Sequence, residues 1–446
     1  MFGNPILRFI LPSLVGVLFF LTPIQVDGST TILIGFLVNT IDDALGRTLD
    51  FMVAVLFVTS ALLGLVFSLR PHLAQALHPL VDKYFNTTWP WLTFRVVGGV
   101  FAMLTALALG PEWINGADTG QVALEIGGFI FVIMLLANFL LPLLVDYGFL
   151  EFIGVLLTRI FQRVFKLPGR AGLDAITSWV GDSSVGALLT IRQFDQGVYS
   201  AREAAVVVTN FSAVSLPFTV VVIETAKVEV DFLTLYGVVI VVAILAALIT
   251  PRLPPLSRLP DTYAVASPPG QVQAGGSLPR QAWERGIARA ARAPGPREIL
   301  KRGSEATLDV YFAVLPAAMA IEFLALVAHE KVEIFGRSIF EILSYPMLPL
   351  LYLFGVSSPE LVLPGTLVGF FDQFVPAIMA GALDDAKARF VLAALSVSQL
   401  IFIAENGALI LRSNIPLNLG QLFSVFLIRT IIALPILSLA AHLLHP

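Results

Sequence analysis

Between Val122 and Ile249 the chain runs through a spanning helix, an amphipathic stretch, a short polar-tipped segment, a polar-interrupted helix and a plain apolar helix. Between Asp309 and His442 the same order returns, displaced by roughly 184–190 residues. A chain that writes one membrane pattern twice, with its breaks at matching places, is constrained to a pseudo-symmetric bundle in which the two breaks meet. Secondary transporters carry this signature and bind solute and coupling ion at the meeting point. Small-solute transport is the leading expectation from pattern alone.

Composition supports a membrane. Of 446 residues 57% are hydrophobic and only 13% charged, where soluble domains carry about 25% charge. The formal net charge of −4 points to no nucleic-acid partner, and the absence of cysteine excludes disulfides and thiol chemistry. His72, His78, His329, His442 and His445 fall outside the apolar cores, so no histidine metal site is expected. Arg8 before the apolar run to Phe20 imitates a signal peptide, but no clean small-residue cleavage site follows, so this reads as a retained first helix. HExxH and GxSxG motifs are missing, and the chain is not expected to be an enzyme.

Nine stretches are long and apolar enough to cross a bilayer: 6–24, 51–69, 95–110, 122–145, 201–223, 232–250, 308–328, 388–411 and 418–443. The expected fold is an all-α polytopic membrane protein. It adds two re-entrant helical hairpins and two interfacial helices to about nine spans in an inverted repeat. Its parts are N-terminal scaffold helices (1–121), copy one (122–250, hairpin 171–199), a linker (251–304) and copy two (305–446, hairpin 357–385). Arg159, Arg163, Lys166 and Arg170 follow the fourth span, and the linker holds nine basic residues against three acidic ones. Both belong on the cytoplasmic side by the positive-inside rule, which places the N-terminus inside and the C-terminus outside. The linker, rich in Pro, Gly, Ala and Arg, reads as largely without structure except for a short basic surface helix near 281–292.

The polar residues inside these apolar segments carry the site. The first hairpin has Gly181-Asp182-Ser183-Ser184 at its tip, and the second has Asp372 and Gln373 among phenylalanines, flanked by Pro364 and Pro376. Unpaired backbone groups at such tips are tolerated only in protein or in a wet cavity. Each hairpin precedes a helix broken in its middle. The first break reads Thr209-Asn210-Phe211-Ser212, then Ser215-Leu216-Pro217; the second reads Ser396, Ser398-Gln399, then Glu405-Asn406-Gly407. Pro217 removes a backbone donor and Gly407 permits unwinding. Asn210 and Gln399 are expected to face each other across the pseudo-symmetry axis. Serines in membrane helices commonly bond their own backbone, whereas a carboxylate at the depth of Glu405 must face protein or water.

The expected solute contacts are Ser184, Asn210, Asp372, Gln373, Gln399, Glu405 and Asn406. The expected ion-coupling oxygens come from Asp182, Ser183, Asn210 and Ser212, with Na+ or H+ as the ion and no other cofactor. Two further readings stay open: a passive channel, and a membrane scaffold or signalling partner without flux.

The opening "LRFILPSLVGVLFFLTPIQVDGSTTILIGFLVNTI", the "GDSSVGALL" tip and the "AREAAVVVTNFSAVSLPF" helix resemble YjiH-type membrane proteins with nucleoside-recognition (Gate) domains. Gate domains also occur in a ferrous-iron transporter and in spore-maturation membrane proteins. The arrangement of hairpins and broken helices is similar to that of concentrative nucleoside transporters. What the resemblance implies is a transport-type fold in a bacterial inner membrane, coupling to sodium or protons, and a dimer or trimer. The solute is left as a nucleoside, amino acid or short peptide. At the first tip, where nucleoside carriers use a Gln/Glu-type pair, this chain has Gly181-Asp182-Ser183-Ser184.

Overall fold

Residues 4–26, 29–77, 79–181, 183–265, 277–334 and 336–445 are described by the computed structural model. In chain order the principal helices are α1 (Pro5–Phe20), α2 (Arg47–Leu69), α3 (Trp89–Ala106), α4 (Val122–Leu140) and α5 (Phe149–Ile160). Then come α6 (Ala171–Val180), α7 (Ser183–Asp195), α8 (Ala201–Asn210), α9 (Leu216–Ala226) and α10 (Phe232–Ile249). The linker region supplies α11 (Leu278–Ala291) and α12 (Pro296–Asp309). Copy two continues with α13 (Leu315–Lys331), α14 (Phe374–Gly381), α15 (Ala386–Ser398), α16 (Ala408–Arg412) and α17 (Leu419–Leu444). Among the described residues, strand is confined to two small ribbons, Pro23–Val26 with Ser29–Ile32 and Glu333–Ile334 with Arg337–Ser338. The protein is all-α and polytopic.

Among the described residues five helices are long and apolar enough to cross a membrane: Arg47–Leu69, Glu112–Val145, Phe232–Arg252, Pro296–Lys331 and Leu419–Leu444. The other four stretches read as spans take different forms. Two are α1 and α3. The remaining two, 201–223 and 388–411, are interrupted helices, split as α8/α9 and α15/α16.

The chain divides into two compact units. One contains residues 1–33, 140–294 and 344–446; the other contains 34–139 and 295–343. In the second unit α3 packs on both α2 and α13. Glycines permit the approach: a Cβ at Gly98 would run into the carbonyl oxygen of Pro316, and one at Gly99 would sit 3.0 Å from that of Phe57. Arg95 is buried here and donates to the carbonyls of Tyr84 (2.7 Å) and Ala313 (3.1 Å). The first helices of the two copies also meet in this unit. The Tyr311 hydroxyl donates to the carbonyl of Phe131 at 2.6 Å while their rings stack, and Asn138 Nδ2 donates to Thr307 Oγ1 at 3.3 Å.

The first unit holds both hairpins and both broken helices. At its centre lies α15, in which every residue from Phe390 to Ser398 is buried. A helix apolar all round belongs in the interior, and α14 and α17 both pack on it. Residues 266–276 of the linker lie outside the described residues; residues 277–304 are more ordered than their composition suggests. Helix α11 packs on α1 and α5, and Arg289 pairs with Asp146 (2.6 Å) and Glu151 (3.3 Å). The backbones of Gly148 and Gly286 touch there, and a side chain at Gly148 (φ 95°) would strike the Gly286 carbonyl.

Candidate functional site

Both breaks are built by identifiable local chemistry. Helix α8 opens with a capping box: Ser200 Oγ accepts from Glu203 N–H (3.2 Å), and Glu203 Oε2 accepts from Ser200 N–H (2.8 Å). It stops at Asn210, residues 211–215 are non-helical, and α9 restarts with Pro217 in its first turn, where a missing N–H breaks no helical bond. In copy two Asp385 caps α15 by accepting from the N–H groups of Lys387 (2.9 Å) and Ala388 (3.3 Å). Helix α15 ends at Ser398, and Leu400 then takes a left-handed backbone (φ 64°), a strained conformation for leucine. Asn406 holds this break together. Its Nδ2 donates to the Leu400 carbonyl at 2.7 Å and its Oδ1 accepts from Phe402 N–H at 3.2 Å. Asn406 thus supplies partners to backbone that no helix satisfies.

The two breaks meet on a residue that the pattern did not single out, Arg429 of α17. Its Nη1 donates to Asn210 Oδ1 at 2.8 Å, its Nη2 to the Ser398 carbonyl at 2.8 Å, and its Nε to the Gln399 carbonyl at 3.1 Å. Asn210 is then fully used. Its oxygen also accepts from Thr250 Oγ1 (2.7 Å), and its Nδ2 serves the Val206 carbonyl (3.2 Å) and Thr209 Oγ1 (3.1 Å). Gln399 donates to the Thr366 carbonyl and to Thr430 Oγ1, both at 3.0 Å. Arg429 therefore links the Asn210 side chain to the Gln399 backbone, while the Gln399 amide turns to Thr366 and Thr430. One sequence signal could have found it: an arginine inside the apolar run "FSVFLIRTIIALP" of the last span.

A second cluster forms at Glu405. Gln373 Nε2 of the second hairpin donates to Glu405 Oε1 at 2.7 Å, and Ser183 Oγ, at the start of α7 in the first hairpin, reaches Glu405 Oε2 at 3.5 Å. The backbone carbonyl of Gln373 accepts from Ser396 Oγ at 2.6 Å, and Ile403 N–H donates to the Phe370 carbonyl at 2.9 Å. Those two bonds lace the second tip along the broken helix.

Of the other expected residues, the side chains of Asp372 and Ser212 are described. Asp372 is buried and accepts from Phe374 N–H at 2.8 Å, acting as the cap of α14. Ser212 is buried within the first break. Asp182 lies outside the described residues, as does the side chain of Ser184. Phe370 packs on Phe423 and Phe426, while Phe371 is 43% exposed.

Asp174 is the second residue that pattern reading missed. It sits on α6 at 1% exposure and accepts from Gln193 Nε2 (2.5 Å), Tyr199 OH (2.9 Å) and Thr190 Oγ1 (3.0 Å). These bonds tie the limbs of the first hairpin and lie a helix length from its tip. Beside the breaks is a small apolar cavity lined by Trp179, Val214, Tyr236, Val239, Ser398 and Leu400. The buried Trp179 Nε1–H has no hydrogen-bond partner among the described residues. No cluster of three or more histidine or carboxylate side chains suited to a metal ion occurs among them.

Residues 124–228 match the family described as Nucleoside recognition (Gate). The matched segment runs from the first helix of copy one through the first hairpin and both halves of its broken helix. An uncharacterized protein of Alkalihalophilus pseudofirmus is 38% identical over 444 residues, covering 98% of this chain and 94% of the relative. No solved structure matches.

Proposed function

The chain belongs to the YjiH-type Gate-domain membrane proteins, one family with the Alkalihalophilus relative, and on that footing we propose that it carries a small polar solute by ion-coupled alternating access. One observation carries this reading: Ser183 from one hairpin and Gln373 from the other converge on the carboxylate of Glu405 in the second broken helix. Carboxylates within membrane segments are rare and mark proton or ion pathways. Here the charge of Glu405 governs how firmly two re-entrant tips close on one another. Gain or loss of a proton, or arrival of a sodium ion, changes that closure and so couples ion to solute. The solute class is a nucleoside, amino acid or short peptide, held by the amide and hydroxyl groups of the tips.

Loop charge supports a bacterial inner-membrane placement with the N-terminus and the 251–304 linker inside and the C-terminus outside. A homo-oligomer fits the family resemblance.

The test pairs binding with uptake. Purified protein is melted with nucleosides, amino acids and dipeptides, in sodium and in choline chloride, at pH 6 and pH 8. A ligand of the folded state present at 100 times its Kd stabilises by about 2.7 kcal/mol. A hit that proteoliposomes then accumulate against its gradient supports the symporter. Equilibration without accumulation identifies a channel. Silence from well-folded protein in both assays overturns transport in favour of a scaffold.

A further inference from the structure

Arg429 is 1% exposed, and among the described residues no carboxylate lies within 4.0 Å of its guanidinium. Its three hydrogen-bond partners are neutral oxygens: Asn210 Oδ1 and the carbonyls of Ser398 and Gln399. All three stand where a half-helix ends, since Asn210 closes α8, Ser398 closes α15 and Gln399 follows it. The last carbonyls of a helix have no intrahelical donor and together carry about half a negative charge. The carbonyl end of α15 and the amide oxygen of Asn210, the last residue of α8, converge on the guanidinium. In transporters built from broken helices, half-helix C-termini and unwound carbonyls are the groups that hold a coupling sodium ion.

We propose that the guanidinium of Arg429 is a tethered cation occupying the cation position at the junction of the two broken helices, so that this chain neither holds nor needs sodium there. The surroundings argue for charge rather than filling. A buried ion costs several kcal/mol to desolvate, and an apolar side chain of similar volume would pack α17 as well without that cost. The guanidinium uses three of its five N–H donors, two of them on the Ser398 and Gln399 carbonyls at the end of α15 and one on an amide oxygen it shares with Thr250, and unlike lysine it cannot lose its proton. Under the transport reading, ion coupling then falls to Glu405 and the junction serves as a fixed electrostatic pin.

The experiment uses the full-length protein in detergent and reads stability, so it can fail while transport stands, and a failure to detect transport leaves it intact. Wild type and Arg429→Ala are melted in choline chloride, in sodium chloride of equal ionic strength, and with guanidinium chloride at about 10 mM, far below denaturing levels. Wild type is expected to melt alike in guanidinium and choline chloride, and any gain it takes from sodium at Glu405 is shared by the variant and subtracted from the variant's response. Arg429→Ala is expected to melt several degrees lower and to regain much of that loss, saturably, from guanidinium or sodium. If neither ion restores the variant, or sodium stabilises wild type as much as the variant, the proposal is wrong. Should the alanine variant not fold, Arg429→Lys and Arg429→Met decide instead. Lysine keeps the charge and methionine keeps bulk, so a tethered cation requires the lysine protein to melt higher. Equal or better behaviour of methionine overturns it.

Discussion

Gln373 donates from Nε2 to Oε1 of Glu405 across 2.7 Å, binding the tip of the second hairpin to the break that follows it. Because the other carboxylate oxygen faces Ser183 of the first hairpin, one side chain registers the position of both tips.

Replacing Glu405 with Gln keeps an acceptor for Gln373 and deletes the charge. We expect a melting temperature within about two degrees of wild type, since a neutral hydrogen bond is worth only about 1 kcal/mol. Solute accumulation should fall at least tenfold, and the pH dependence of uptake should flatten. Uptake with the wild-type rate and pH profile would remove Glu405 from the coupling step.

Asp174 should behave as a structural hub. Alanine there strands two buried donors, on Gln193 and Tyr199, at about 1–3 kcal/mol each, while Thr190 Oγ1 keeps the Gly186 carbonyl at 3.1 Å. Tyr199→Phe loses one bond and should cost about 1 kcal/mol. Thermal melts should therefore rank wild type, Tyr199→Phe and Asp174→Ala in descending order with a wide final gap. Near-equal losses in the two variants would show that the three bonds do not act together.

Gly98 allows α3 to touch the backbone of α13 at Pro316. A methyl group meets a carbonyl that cannot rotate away, and overpacking of this kind costs about 1–3 kcal/mol. Gly98→Ala should lower the melting temperature by several degrees, while Gly237→Ala, where nothing lies within 4 Å of the added carbon, should not. Matching melts for the two would contradict the close approach.

The linker helix α11 is held to α5 partly through Arg289, whose partners Asp146 and Glu151 are more buried than itself. Half-exposed pairs contribute about 1 kcal/mol or less, so Arg289→Ala should leave the melting temperature nearly unchanged. Trypsin should nevertheless cut at Arg280 and Arg285 several-fold faster as the helix opens locally. An unchanged cleavage rate would mean that packing alone seats α11.

Glu405, Gln373 and Ser183 stood out in the sequence as polar groups beside Pro or Gly breaks in apolar segments, and the structure brings the three within hydrogen-bonding distance. The breaks themselves were equally plain, announced by Pro217, by Gly407 and by amides within apolar runs. The ribbon at Pro23–Val26 and Ser29–Ile32 was not, because two four-residue strands of mixed polarity (PIQV and STTI) carry no period long enough to read. The linker helix near 281–292 was foreseen and is α11 (Leu278–Ala291), but its seat on α1 and α5 was not. Its low hydrophobicity forecasts no core of its own, and α11 finds one only on α1 and α5.

Local composition and period determined that this chain is a helical membrane protein with apolar helices interrupted at polar residues, because those are properties of neighbours in sequence. Which polar groups share a point depends on residues far apart: Asn210 meets Arg429 across 219 positions, and Ser183 meets Glu405 across 222. No periodicity encodes such separations. Burial raises the cost of any unpaired polar group, and only the packed helices settle which partner each one finds. Tertiary structure alone therefore turned Asn210 and Gln399 from open ligands into the seat of a buried guanidinium.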